Sequence, residues 1–235
     1  TEKVNIEKTV TICLNGHNIS LASGKNIIIG SGAAVIIQGD GQQGTDGKVA
    51  GNITAYAGTA LTVENCTVEG QLTAHGSSTV TDSLVTSTKS PAFTVNNQNA
   101  AVKLSGSLFL FTGTPSGSGV ASAVKFGAAD TVKMEGCTVQ GPREGIYFSG
   151  AVREAVIDGC AIQGANKEGI SFYGLEAGNT VTVTNSLVSS EEGNAVSASW
   201  NMDKTAVIAL GEGNTVSGRI SLPGNTDEDY RYQFQ

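Results

Sequence analysis

The sequence predicts an all-β chain wound as a right-handed parallel β-helix, a solenoid of about eight to ten coils. Three observations carry that expectation. First, "GCTVQGPREGIYFSG" (Gly136–Gly150) and "GCAIQGANKEGISFYG" (Gly159–Gly174) are close copies, with Cys137 and Cys160 standing 23 residues apart. Second, the same position recurs as Cys66, Ser83, Ser107, Cys137, Cys160 and Ser186, in steps of 17 to 30 residues. Third, short segments alternate apolar and polar residues with period two, and no segment shows a capped 3.6-residue apolar period.

Along the chain, residues 1–50 are expected to form the first, irregular coils, residues 51–224 the regular ones, and residues 225–235 a tail that caps the last, all in a single domain over 1–235. Each regular unit has a V-x-x-(G/N)-(C/S)-x-(V/I) corner and a half-buried strand. The inward column of those strands reads Leu72, Phe93, Val124, Ile146, Ile170, Val196, Ile220. Two residues later it reads Ala74, Val95, Phe126, Phe148, Phe172, Ala198, Leu222. A stacked coil must bury the same inward positions against each neighbour, at a strand spacing of about 4.8 Å, so the pattern repeats. Variable step lengths exclude a hexapeptide helix, and the Leu and Asn ladder of a leucine-rich repeat is missing. A propeller blade would need roughly twice this period. The tail "TDEDYRYQFQ" is placed to shield a strand edge that would otherwise template aggregation.

Composition narrows the function. Of 235 residues, 39% are hydrophobic and only 15% charged, which suits a folded chain. The net charge is −7 with no basic patch, so nucleic acid is not an expected partner. No apolar run reaches the ~20 residues of a membrane helix, so no membrane insertion is expected. The start at Thr1 suits a processed chain or one domain of a longer surface protein. The four cysteines fit no zinc spacing. Cys137 and Cys160 stack one strand spacing apart, within reach of a disulfide, although small buried thiols at a corner follow from packing alone. With neither His17 nor His75 aligned to a cysteine, these thiols read as structural.

Two sets of residues are candidates for a site. The rings of Tyr147 and Tyr173 are expected to point outward, one coil and one strand step apart, and Trp200 ends the same strand on the next coil. Such a diagonal could stack on sugar faces, with Glu144 and Glu168 supplying hydrogen bonds. Glu144 and Glu168, at one corner beside Arg143 and Lys167, otherwise read as an ordinary surface charge ladder. Glu135 and Asp158 occupy equivalent outward positions on adjacent coils, with Lys133 nearby. Paired carboxylates of this kind can hold calcium or act as acid and base; calcium is the one cofactor they suggest, and no other cofactor is expected.

The corner motif and the G-I-x-F strand after it resemble the repeats of the pectin-lyase-like superfamily of right-handed β-helix proteins, from about Ala50 to Gly224. The N-terminal "TVTICLNGHNISL" resembles the first coil of bacterial extracellular members. The resemblance implies an extracellular or cell-surface location, but the superfamily holds lyases, hydrolases, tailspikes and adhesins alike. Calcium-dependent pectate lyases carry an R-x-P-x-x-R setting that is absent here. Polygalacturonase-like hydrolases carry N-T-D, D-D, G-H-G and R-I-K, of which only an isolated "NTD" occurs, at Asn225–Asp227 in the tail. No catalytic residue is therefore assigned. The expectation is a non-catalytic, adhesin-like module that binds a polysaccharide or cell-surface glycan, with an atypical lyase or hydrolase around Glu135 and Asp158 as the alternative.

Overall fold

The computed structural model describes residues 3–22, 25–39, 47–115, 120–199, 201–222 and 231–234. Among them there is no helix, and every strand pairs in parallel with its counterpart one coil away. The path repeats: one strand, a bend, a second strand, a tight corner, a third strand, then the next coil. Leu72–Ala74, Ser77–Thr81 and Leu84–Ser87 make one such coil. Nine full coils and the beginning of a tenth are described.

The inward columns read from the sequence are the columns of the core. Leu72 pairs with Phe93, Phe93 with Val124, Val124 with Ile146, Ile146 with Ile170, and Ile170 with Val196. All six are fully buried, whereas Ile220, on the last coil, is exposed. Phe126, Phe148 and Phe172 stack through the core with successive centroid separations of 5.1 Å. A flat ring fits because the coil rise and the spacing of offset-stacked aromatics are nearly the same length.

The corner between second and third strands explains the (G/N)-(C/S) signature. Asn65, Asp82 and Asn185 have φ of 51°, 46° and 49°, and Gly106, Gly136 and Gly159 have φ of 56°, 60° and 62°. That left-handed region favours glycine and, next, the short polar side chains. The following residue then enters a buried ladder. The Cys66 amide donates to Ser83 Oγ (3.3 Å), Ser83 to Ser107 Oγ (3.2 Å), and Cys137 to Cys160 Sγ (3.4 Å). The Cys160 amide donates to Ser186 Oγ (3.0 Å), and the Ser186 amide to Asn214 Oδ1 (2.9 Å). Each serine hydroxyl donates in turn to the carbonyl two residues before it, as Ser186 does to Thr184 (2.7 Å). The thiols stand in for hydroxyls in this ladder: Cys66, Cys137 and Cys160 are buried and free, and Cys13 is free and exposed. Burial pushes the Cys66 thiol up to about 11, and Cys137 is pushed up by its hydrogen bond to Cys160 and by burial. Neither is a nucleophile at neutral pH.

One expectation needs correction. The first 50 residues are not irregular in their stacking: Val4–Ile6, Val10–Cys13 and Asn18–Ser20 pair in register with Asn26–Ile29, Ala34–Gln38 and Lys48–Ala50. In the tail, Arg231–Phe234 continues the second sheet by pairing with Val207–Leu210; the rest of the expected cap lies outside the described residues.

Candidate functional site

The outward column in the middle of the first strand runs Thr54, Thr73, Thr94, Lys125, Tyr147, Ser171, Ser197. Small hydroxyl residues suit such a column, where β-branched or short polar side chains pack on the pleat and meet water. Lys125 and Tyr147 break it. Tyr173, one strand step further on, brings its ring to 6.1 Å from that of Tyr147, and Lys125 Nζ lies 5.8 Å from the Tyr147 centroid. The two rings therefore do form a pair, as the spacing suggested.

Their exposure differs from the expectation. Tyr173 is 45% exposed, but Tyr147 is only 7% exposed. An outward-facing ring becomes buried here because Tyr173 and Lys125, both long, close over it from the neighbouring coils. Burial raises the Tyr147 phenol above its ordinary pKa, with the negative charge of Glu144 and the neighbouring Tyr173 adding to it. Tyr147 is thus a base on which Tyr173 is braced, and Tyr173 is the ring that a ligand could meet. Trp200 lies outside the described residues. Tyr56 is a second exposed ring, at 47%, that the repeat pattern did not single out.

Glu144 also departs from its expected place. In register with Ser122 at the start of the first strand, it is 2% exposed rather than part of a surface ladder. Its Oε2 accepts the Ala121 amide at 2.7 Å, and its Oε1 lies 3.8 Å from Lys167 Nζ. The reason is the segment from Thr112 to Ala121, ten residues where the next coil uses two between Gly141 and Glu144. The end of that longer connection lies over the carboxylate and encloses it. Ser122 Oγ, itself buried, has no hydrogen-bond partner among the described residues. Glu168, one coil on, is half-buried. Burial and the Glu144 charge raise its carboxyl above the ordinary value, against the pull of Lys167 and Arg143. Of the two carboxylates, Glu168 is the one open to solvent.

The Glu135 and Asp158 pair stands in register on the second sheet, as the repeat implied. Each carboxylate is already engaged by the chain. Glu135 pairs with Lys133 at 2.8 Å. Asp158 Oδ1 accepts from Asn185 Nδ2 and Thr184 Oγ1, both at 2.8 Å. The Asn185 and Thr184 bonds hold the Asp158 carboxyl below its usual range. Among the described residues no three His, Cys, Asp or Glu side chains converge as a metal site would require. Both carboxylates are thus committed to donors of the chain itself.

A family model described as a right handed beta helix region matches residues 33–209. No curated protein and no solved structure matches the chain.

Proposed function

The chain belongs to the right-handed β-helix family, and on that premise we propose that it is a non-catalytic, adhesin-like module of a bacterial cell surface or the extracellular space that binds a polysaccharide or surface glycan. The observation that carries this reading is the Tyr173 ring, exposed and braced against Tyr147. An aromatic face held in place by a second ring loses little freedom when a pyranose settles on it, and its apolar area is already presented to water. Ser171, two residues before it and next to Tyr147 in the same outward column, offers a hydroxyl to a sugar on that face.

A glycan-cleaving reading draws on one observation, and it concerns a different pair from Glu135 and Asp158. A carboxyl with a raised pKa next to a second carboxylate, as Glu168 is next to Glu144, is the arrangement a general acid needs. The burial of Glu144 and its bond to the Ala121 amide weigh against it as the partner base. Glycan-array binding by the wild-type protein and by Tyr173→Ala tests both readings. The same glycans are screened for new reducing ends and for unsaturated products. Binding lost in Tyr173→Ala without product supports the module, and product formation abolished by Glu168→Gln overturns it.

A further inference from the structure

A second site is built into the opposite end of the solenoid, at the corner where the third strand of one coil passes to the first strand of the next. Two of these passages are reduced almost to nothing. Lys48–Ala50 runs into Asn52–Ala55 through Gly51 alone, and Thr67–Glu69 reaches Leu72 through Gly70 and Gln71. Glycine is required at both. Gly51 has φ 149°, and a Cβ there would come within 2.6 Å of Leu21. At Gly70 a Cβ would run into the Gly51 carbonyl. The passages on either side are longer, one ending at Lys25 and the other running from Thr88 through Lys89 to Ala92. The result is a saddle with a floor of tight turns and a raised wall at each end, enclosing about 530 Å³. A second hollow of about 360 Å³ extends it past the far wall and shares Thr88 and Lys89 with it.

The charges in the saddle are unevenly satisfied. Glu69 on the floor is neutralised by Lys48 at 3.0 Å. Lys25 on one wall and Lys89 on the other line the saddle without an ion-pair partner among the described residues. The rest of the lining mixes hydroxyl and amide groups, including Thr86, Thr112 and Asn52, with the small apolar patch of Leu21, Ala22 and Ala50, and has no aromatic ring. On a chain of net charge −7, this is a local cationic surface. Charges beyond about 8 Å are screened at physiological salt, so the two ammonium groups act on a ligand largely free of the distant acidic residues. The walls are three coil steps apart, roughly 14 Å at the strand spacing.

We infer that this saddle binds an extended, hydrophilic chain bearing at least two anionic groups, one held by Lys25 and the other by Lys89, as in a sulfated oligosaccharide or a phosphodiester-linked polyol. The site is separate from the Tyr173 face and stands or falls independently of it.

The test measures binding of a heparin-derived hexasaccharide, a glycerol-phosphate oligomer, neutral dextran of similar length and single-stranded DNA, at low and at physiological salt. Lys25→Gln, Lys89→Gln and the double variant are compared with Lys103→Gln, an exposed lysine of the second sheet, as the control. Each groove substitution should weaken binding of an anionic glycan-type probe about two- to fivefold, as befits an exposed charge pair. The double variant should bind no better than dextran binds the wild type and should lose the salt dependence, and Lys103→Gln should change nothing. Response to only one of the two anionic probes identifies the anion carrier. The inference is overturned by equal binding of dextran, by binding that ignores both lysines, by silence toward both probes at low salt, or by lysine-dependent binding of DNA alone.

Discussion

Replacing Ser186 by alanine should destabilise the solenoid out of proportion to the single oxygen removed. Ser186 is 1% exposed; its Oγ takes the Cys160 amide at 3.0 Å and gives its proton to the Thr184 carbonyl at 2.7 Å. The carbonyl has a second lone pair and neighbours in the sheet, so the amide is the group left stranded. A buried N–H without an acceptor costs about 1–3 kcal/mol. For a chain of this size that corresponds to a fall in Tm of roughly 2–12 °C, at about 2–4 °C per kcal/mol. Ser186→Cys is the informative companion, because Cys137 and Cys160 already hold equivalent rungs as thiols. It should cost clearly less than alanine. Urea and thermal unfolding followed by circular dichroism would measure both. If alanine is neutral, or if cysteine costs more than alanine, the rung is filled for its volume and the hydrogen-bond account of the corner is wrong.

Three further outcomes are expected. Phe148→Ala should cost about 3–5 kcal/mol in urea unfolding, because it opens a gap between Phe126 and Phe172, each 5.1 Å away. Glu168→Gln should stabilise the fold at neutral pH. The folded state raises the Glu168 pKa, so it binds that proton more tightly than the unfolded chain. That contribution is present in full below the unfolded carboxylate range and is lost as pH rises through the folded value. The Tm gain of the variant should therefore be largest near pH 7 and vanish on acidification, and a pH-independent gain would point to packing instead. Glu144→Gln, which removes the charge opposite Glu168, should move the Glu168 midpoint downward in an NMR titration.

The fold was legible because a solenoid repeats its constraints. Seven coils place an apolar residue at the position of Leu72, and the left-handed corner admits mainly glycine, asparagine and aspartate, so register could be read residue by residue. The ladder partners of the corner were legible as a column, while the reason for Cys or Ser there, the amide of the preceding coil, required coordinates. The site was legible only in part. Tyr147 and Tyr173 meet as the strand spacing implied, since both lie on one face two residues apart in phase. Burial of Tyr147 and Glu144 depends on what covers the face, and that covering is supplied by side chains of neighbouring coils and by the long passage ending at Ala121. Such passages do not repeat, so a pattern of repeats is silent about them. The saddle escaped for the converse reason: it is made by passages that are unusually short, visible only when two neighbours are long.

Departure from the repeat is therefore the most informative local signal in this architecture. A coil that obeys its columns contributes stacking area and little else; a coil that breaks one exchanges repeat-compatible residues for something that must be compensated nearby. Lys125 and Tyr147 interrupt a hydroxyl column and are compensated by stacking on each other and on Tyr173. Glu144 puts a carboxylate where the preceding coil has Ser122, and it is compensated by the Ala121 amide and Lys167. Both breaks fall on the same two adjacent coils and in the same pair of first strands. Random drift would scatter such breaks along the nine coils and over three sheets. Their coincidence beside an exposed ring is why the Tyr173 face, rather than the satisfied Glu135 and Asp158 pair, is where binding should be sought first.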